Sequence, residues 1–431
     1  MNSYIHSVSL DSEKCKGCTT CMKHCPTEAI RVRNGHAQID PDRCIDCGEC
    51  IRVCPHKAKK ANYNKLEQMN AYKWKIALPA PALFAQFDGL DDLDYVLQGL
   101  LDIGFDDVFE VSRAAEYVTS YSRKYLKLPS VKKPVISSAC PVVVRLIALR
   151  FPYLKDNIMP LLPPIEVAAA MAREEALKEH PEFTEEDIGV CFITPCPAKV
   201  SYVQNGFGDY KSKINLVVPI SEVYFQLINV MKRDKTPTIN SKTGVIGISW
   251  ASSGGEASGL LTDRVLAADG INNVIEVLDK IENGNIPPID FVELNACTGG
   301  CVGGVLTIEN AFISRNRLQT LRRYLPVSVS SYTGEYIPEN RFFNGMPSYK
   351  PLSRLSNSLG ESMRLMARIQ AIRADLPGID CGACGSPTCR AFAEDIVMGN
   401  AEINDCVIGY ADIIKKYIAD KGKEATTDDR N

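Results

Sequence analysis

Apolar positions along the middle of the chain switch repeatedly between two periods. Trp74–Leu78 is mostly apolar, closes on ProAlaProAla at 79–82 and reads as a strand. Asp91–Gly104 carries Leu93, Val96, Leu97, Leu100 and Leu101, the spacing of a helix with one buried face. Val108–Val111 and Pro134–Ser137 read as short strands, and the alanine-rich stretch Glu166–Glu179, with its charges on one side, reads as a helix. Ile188–Ile193 is the continuous apolar run of a strand buried on both faces. Val223–Lys232 follows a ProIleSer turn and predicts a helix; Val245–Ser249 and Phe291–Leu294 predict two more strands. Further on, Met363–Ala374 should be helical, and a second helix should start at Ser386 or Thr388. Strands alternating with helices predict a parallel or mixed sheet with covered faces, so the centre of the chain is a large α/β domain. In such sheets sites form beyond the carboxyl ends of the strands.

Two polar stretches punctuate this pattern. Residues 56–65 (HKAKKANYNK) read as a basic linker that ends a first domain near residue 65, and residues 350–362 read as a second linker. The expected domains are 1–65, 70–350 and 363–420, followed by a polar, disordered tail at 421–431. With 431 residues there is ample chain for several cores. A net charge of −3 gives no electrostatic case for nucleic acid or an anionic membrane. No apolar run reaches the roughly 18–20 residues of a membrane span. The N-terminus MNSYIHSVSL lacks both a signal-peptide pattern and a twin arginine, so the expected location is cytoplasmic.

Composition changes the picture at one residue type. There are 17 cysteines and only five histidines. Without an export signal, and with short regular spacings, metal is a better reading than disulfides, and thiolate must be the main ligand. Cys15, Cys18, Cys21 and Cys25 precede Pro26, and Cys44, Cys47, Cys50 and Cys54 precede Pro55. Each cysteine of the second run follows its counterpart by the same 29 residues, an internal duplication of CxxCxxCxxxCP. This is the bacterial two-cluster ferredoxin run, in which the fourth cysteine crosses to the other cluster. One 4Fe-4S cluster would take Cys15, Cys18, Cys21 and Cys54; the other would take Cys44, Cys47, Cys50 and Cys25. A pair of zinc knuckles would instead split its ligands into two spaced pairs. His24 and His56 flank the CysPro cysteines and read as exposed loop or helix residues.

Four further cysteines organise the central domain: Cys140 in SSACP (137–141), Cys196 in TPCPAK (194–199), and Cys297 and Cys301 in ELNACTGGC (293–301). Three of the four lie on loops directly after expected strands, beside proline, glycine or other small residues. Taken singly, any one stretch could be a structural metal loop or a plain buried thiol. Together, and in this order, they resemble the three signatures of the iron-only (FeFe) hydrogenases, as do AlaProAla at 80–82 and GFDDVFE at 104–110. The resemblance spans roughly residues 1–350. It implies that Cys140, Cys196, Cys297 and Cys301 hold a 4Fe-4S cubane. Cys301 would also bridge to a di-iron unit carrying carbon monoxide, cyanide and a bridging dithiolate amine, the whole being the H-cluster. Lys199 would hydrogen-bond a cyanide, Ala80 and Pro81 would line the di-iron pocket, and Gly299, Gly300, Gly303 and Gly304 would let backbone approach the cluster. Molecular hydrogen and protons would be the substrates, a protein such as ferredoxin the redox partner, and maturation enzymes the source of the di-iron unit.

The chain departs from that family where protons should move. A cysteine that precedes the first ligand in efficient members is Ala139 here, and a methyl group carries no proton. Positions aligned with relay glutamates hold Tyr121 and Ser122, and a further glutamate position holds Tyr202. Methionines near the di-iron unit are replaced by Thr194 and Asn295. General acid–base steps commonly contribute about 10²–10⁴-fold, so slow turnover is expected, as in the hydrogen-sensing subgroups with the same alanine. A working enzyme would need another proton route, through water, Tyr121 or Asn295. Two other functions compete: an electron-transfer protein that never receives the di-iron unit, and a regulatory protein whose C-terminal cluster docks a signalling partner.

Near the C-terminus Cys381, Cys384, Cys389 and Cys406 are spaced CxxC-x4-C-x16-C. This resembles a small helical four-cysteine 4Fe-4S domain; a zinc site is the alternative. The expected cofactors are thus three 4Fe-4S clusters outside the active site, plus the H-cluster. The expected fold is α/β multidomain: an N-terminal α+β bacterial ferredoxin-like domain, a central α/β hydrogenase domain and a small helical C-terminal iron–sulfur domain. Sixteen of the 17 cysteines are then assigned, and Cys191, within an apolar strand, reads as a core residue.

Overall fold

The computed structural model describes residues 4–206, 210–231, 236–343, 345, 355, 356 and 358–409. Lys232, residues 350–354 and 357 of the expected second linker, and the expected disordered tail lie outside the described residues. The chain forms two compact bodies: Met1–Val8, Ile45–Gly48 and Ala61–Lys350 make the first, and Ser9–Cys44, Glu49–Lys60 and Pro351–Asn431 the second.

Two parallel sheets frame the first body. The larger runs Asp107–Val108, Trp74–Pro79, Ile188–Thr194, Leu216–Pro219. Trp74 stands opposite Ile188 and Pro79 opposite Ile193, so these two strands end together. The smaller runs Val265–Asp269, Phe291–Asn295, Val135–Ile136, also parallel. Every residue of Ile188–Thr194 is buried, as its unbroken apolar run requires. Around this strand the core gathers Ala77, Leu83, Phe84, Leu97, Cys191, Ile193 and Val218. Each large side chain buried there contributes about 1.5–3 kcal/mol relative to exposure. Cys191 is fully buried in it, as expected of a core thiol.

The expected helices form over Asp94–Asp102, Pro164–Glu179 and Ile220–Val230. Three local expectations are corrected. Val245–Ser249 is a helix, not a strand. Its five residues are too few to show a period, and the N–H groups of Gly244 and Gly247 at its start donate to the buried carboxylate of Glu116, at 2.7 and 3.3 Å. A Cβ on Gly247 would also lie 2.2 Å from the Ser112 carbonyl, so the run owes its glycine to a close crossing with the helix Val111–Tyr125. The strand expected over Val108–Val111 stops at Val108, because Val111 opens that helix. Lys59–Ala61, read as linker, is a short strand paired with Val8–Leu10.

The second body holds the duplicated cysteine runs apart from Cys47, with an antiparallel hairpin of Ile30–Arg33 and His36–Ile39 and short helices Thr20–Lys23 and Glu49–Arg52. It also holds the C-terminal helices Leu359–Asp375 and Cys389–Val397, packed around Ile369, Leu376, Phe392 and Cys406. Thr388 caps the second helix by accepting from Ala391 N, one of the two starts the sequence offered. Among the described residues no helix is long and apolar enough to cross a membrane.

Candidate metal centre

The carboxyl ends of the strands in the first body deliver the chemistry. Trp74–Pro79 runs into Ala80 and Pro81, Ile188–Thr194 into Cys196, Phe291–Asn295 into Cys297, and Val135–Ile136 into Cys140. Cys140 and Cys196 are each the N-cap of a helix, Pro141–Arg150 and Pro197–Asn205, with proline in its first turn. That position is preorganised for proline and favourable for a thiolate.

These loops line one hollow. Cys140, Cys196, Cys297 and Cys301 all line it, together with Lys199, Ala80, Pro81, Ala139 and Asn295. Most of the remaining wall is apolar, including Val111, Ile165, Phe192 and Trp250. The Lys199 ammonium lies 5.6 Å from the Phe192 ring centroid, a position that supplies cation–π contact within an apolar wall. The C-terminal glycines permit close backbone packing. Gly300 has φ +88° and a Cβ there would lie 2.5 Å from Ser253 N, while one on Gly304 would lie 2.2 Å from the Pro195 carbonyl.

Burial pushes the Cys196 thiol up to about 12, and burial together with Cys140 pushes that of Cys301 up. Four thiols gathered in so dry a hollow, beside a single ammonium, suit a metal group that takes them as thiolates. All-sulfur donors select an iron–sulfur group or zinc, and the lining runs on past the four cysteines to Ala80, Pro81, Lys199 and Asn295. The four cysteines therefore fit a cubane.

Thr194 takes a different part from the one expected. It is fully buried and spends its hydroxyl on the turn, accepting from Cys196 N and donating to Cys196 O, both at 3.1 Å. Ser122 and Tyr121 are buried on the helix Val111–Tyr125. Ser122 Oγ donates to the Met159 thioether at 3.4 Å, and Tyr121 packs edge-on against Tyr332. Tyr202 is buried in the helix after Cys196.

Two acids that the sequence reading passed over line the same hollow: Glu256 and Glu293, 4% and 3% exposed. Glu293 accepts from Gly254 N (3.0 Å), Ala257 N (2.8 Å) and Asn295 Nδ2 (2.8 Å). Glu256 accepts from Ser137 Oγ at 2.6 Å, and Ser137 Oγ accepts from Ala139 N at 3.2 Å. Burial and the Glu293 carboxylate hold Glu256 well above the usual carboxylate range, and burial raises Glu293. One signal was available: Glu293 interrupts the apolar run Phe291–Leu294 of the strand FVELN.

In the second body, Cys15, Cys18, Cys21 and Cys54 line a hollow of about 320 Å³, the set the crossed pattern predicts for one cluster. Backbone N–H groups point at its sulfurs: Ala37 N to Cys15 Sγ (3.4 Å) and Ala58 N to Cys54 Sγ (3.2 Å). Cys25 Sγ accepts from Ala29 N at 3.3 Å, and Cys50 lies within electrostatic reach of Cys25. Cys44 is buried in the same body. Cys47 belongs to the loop 45–48 of the first body, where a Cβ on the neighbouring Gly48 would lie 2.6 Å from Val305 Cγ2 and 3.0 Å from Pro197 Cγ. His24 is exposed and its Nδ1 contacts the Thr20 carbonyl at 2.8 Å, and His56 is exposed at the rim of the 320 Å³ hollow. Cys381, Cys384, Cys389 and Cys406 line a third hollow of about 340 Å³.

Comparison with known proteins agrees with these sites. Residues 73–224 and 231–305 match the family "Iron only hydrogenase large subunit, C-terminal domain". Residues 7–55 match a 4Fe-4S dicluster domain and residues 376–408 an Fe-S cluster family. One component of the Na(+)-translocating ferredoxin:NAD(+) oxidoreductase complex of Acetobacterium woodii is 43% identical over 58 residues, 14% of this chain and 17% of that one, so the chain spans under a fifth of that relative's length. The periplasmic Fe hydrogenase large subunit of Nitratidesulfovibrio vulgaris is 26% identical over 70% of this chain and 86% of its own. An FeFe-hydrogenase structure from Chlamydomonas reinhardtii is 18% identical over 58% of this chain and 84% of that one, with a TM-score of 0.46. With more than half its length matched to one family, and that family's segment carrying all four cysteines of the central hollow, the chain belongs to the iron-only hydrogenase large-subunit family.

Proposed function

We propose that this protein binds and reversibly oxidises molecular hydrogen at an H-cluster in the central hollow, with low turnover and a role in hydrogen sensing. The observation that carries this is the convergence of Cys140, Cys196, Cys297, Cys301, Lys199, Ala80 and Pro81 on one apolar-walled cavity at the strand ends. The four cysteines would hold the cubane, with Cys301 shared by the di-iron unit. When bound, the di-iron unit and its bridging amine would supply the splitting of hydrogen into two protons and two electrons. The chain's part is to exclude water, to hold an anionic ligand with Lys199, and to move protons and electrons away.

Proton movement is where this chain differs. Ala139 carries none, and the Ser122 hydroxyl ends on a thioether. The carboxylates within the hollow are Glu293 and Glu256, with Asn295 and Ser137 hydrogen-bonded to them, so the proton relay is assigned to this pair. Electrons would pass through the Cys47 loop, since Gly48 packs against Pro197, the residue after Cys196. The duplicated runs (within 1–65) would hold two 4Fe-4S clusters in the crossed arrangement, the domain at 363–420 a third, and the domain at 70–350 the H-cluster.

Infrared spectroscopy tests this after anaerobic reconstitution and loading with a synthetic di-iron cofactor. Carbon monoxide and cyanide bands that shift under hydrogen are expected. Full cubanes without such bands would refute the hydrogenase reading and leave an electron-transfer or regulatory iron–sulfur protein. Lys199 lining the hollow favours the first outcome, because its ammonium is placed there to hold an anionic ligand of the di-iron unit.

A further inference from the structure

Within the second body the two complete four-cysteine hollows share a wall one residue thick on each side. Val32 lines the hollow of Cys15, Cys18, Cys21 and Cys54, and its N–H donates to the Gly385 carbonyl at 2.9 Å. Gly385 stands between Cys384 and Ser386, both of which line the C-terminal hollow. It has φ +78°, and a Cβ there would lie 2.0 Å from the Val32 carbonyl oxygen, so only glycine permits the approach. A second contact lies beside it. Met22 follows Cys21, Gly382 follows Cys381, and a Cβ on Gly382 would lie 3.0 Å from Met22 Cε.

The seam is fastened by side chains from both segments. Arg31 Nε, Arg33 Nη2 and Ser386 Oγ all donate to Asp395 Oδ2, at 2.7, 2.8 and 2.6 Å. Arg33 Nη1 donates to the Cys384 carbonyl at 3.1 Å, Lys23 Nζ to the carbonyls of Asp380 and Pro387, and Arg43 pairs with Glu394. A cubane held by four thiolates is anionic in both oxidation states, so two of them across so thin a wall repel. Lys23, Arg31, Arg33 and Arg43 put four positive charges into that seam against the carboxylates of Asp395 and Glu394, which offsets the repulsion.

We propose that the C-terminal four-cysteine site is the outer terminal of an internal electron relay. It exchanges single electrons with the cluster of Cys15, Cys18, Cys21 and Cys54 across the Val32–Gly385 and Met22–Gly382 contacts. Tunnelling falls off exponentially with the gap, which is why both contacts are made by glycine. In each transfer one electron leaves a reduced cubane and enters an oxidised one; no bond forms or breaks and no proton moves. The outside party is a one-electron carrier meeting the exposed Cys381 edge. This rests on the reading above that both hollows hold 4Fe-4S clusters.

The test is metal analysis and electron paramagnetic resonance of the reconstituted full chain reduced with dithionite. Wild type, C406S and Gly385→Val are compared, with Arg33→Ala as the milder variant should Gly385→Val not fold. In wild type the C-terminal cluster is expected to relax fast and to show spin–spin broadening. C406S should lose that added interaction and keep the one within the ferredoxin pair. Gly385→Val or Arg33→Ala should keep full iron while the C-terminal signal becomes sharp and slowly relaxing. Full iron with an isolated C-terminal signal already in wild type overturns the relay and leaves the clusters standing. Zinc in the C-terminal hollow overturns the cluster reading for that site and the relay with it.

Discussion

Replacing Glu256 by glutamine separates proton transfer from folding at the central hollow. Glu256 and Glu293 are both buried and the Glu293 carboxylate disfavours charge on Glu256, so the pair holds on to a proton to higher pH than an ordinary carboxyl does. Glu256 takes its hydrogen bond from Ser137 Oγ, and an amide oxygen accepts that bond equally well, so at acid pH Glu256→Gln should melt within about 1 kcal/mol of wild type, and toward neutral pH at least as high as wild type. Glu293 is different. Both its oxygens face N–H donors from Gly254, Ala257 and Asn295, so an amide NH₂ must oppose at least one of them. Glu293→Gln should therefore lose about 1–3 kcal/mol of stability as well as activity. If the pair is the relay, Glu256→Gln should lower turnover by about 10²–10⁴-fold. The assay is viologen-coupled hydrogen oxidation on protein whose cofactor loading has been checked by infrared spectroscopy. Turnover by loaded, normally melting Glu256→Gln within a factor of two of wild type would refute the relay.

The raised position of Glu256 also predicts a pH effect: the folded chain keeps its proton above 4.5 while the unfolded chain loses it, so folding stability falls as pH rises from there. Wild type and Glu256→Gln should melt together at acid pH, and wild type should fall progressively below the variant toward neutral pH. Gly48→Val would force a branched side chain into φ +77°, at about 1–2 kcal/mol, and against Val305; viologen-coupled activity should drop while the infrared bands stay, and loss of neither would remove Gly48 from the electron path. Asp395→Ala leaves Arg31 and Arg33 without their shared acceptor and should cost about 3 kcal/mol in denaturant unfolding, an unchanged midpoint counting against the pairing. Ala139→Cys should raise turnover only slightly, because the Ser122–Met159 pair beyond it still passes no proton; a large gain would show that a route through that helix survives.

The four cysteines of the central hollow were legible because three of them follow strands directly and all four have their own punctuation of proline or glycine. For those three, the element before the ligand and the ligand itself could be read together. The same locality fails for Val245–Ser249. An apolar run of five with one glycine has no period, and what makes it a helix is the distant Glu116 carboxylate at its N-terminus. Glu256 escaped notice for a similar reason. A single glutamate among GlyGlyGluAlaSer looks like a solvated turn, and only the fold buries it beside Glu293. Thr194 shows the converse: a position aligned with a cofactor neighbour is used for the turn that holds Cys196. The polar run 56–65 looked like a linker because the partner of its short strand lies some fifty residues away.

Under the proposed function, slow turnover and signalling would both follow from one feature. Each pK unit by which a carboxyl is raised adds about 1.4 kcal/mol to the free energy of ionising it at a given pH. Glu256 is raised well above the usual range and, with Glu293, is almost wholly buried, so a proton taken up from the hollow is released only slowly to water. The thiolate sites are built differently. Backbone N–H groups point at Cys15, Cys25 and Cys54, and the seam beside the C-terminal hollow carries Lys23 and two arginines. These groups favour electron uptake by the clusters. A protein whose clusters would take electrons easily while its central hollow would give up protons reluctantly would report hydrogen as a reduction state better than it consumes it. On that reasoning the rate-limiting step is proton release from the glutamate pair, so turnover should rise with pH and show a solvent isotope effect that Glu256→Gln abolishes. A wild-type rate independent of pH across the neutral range would place the limit elsewhere.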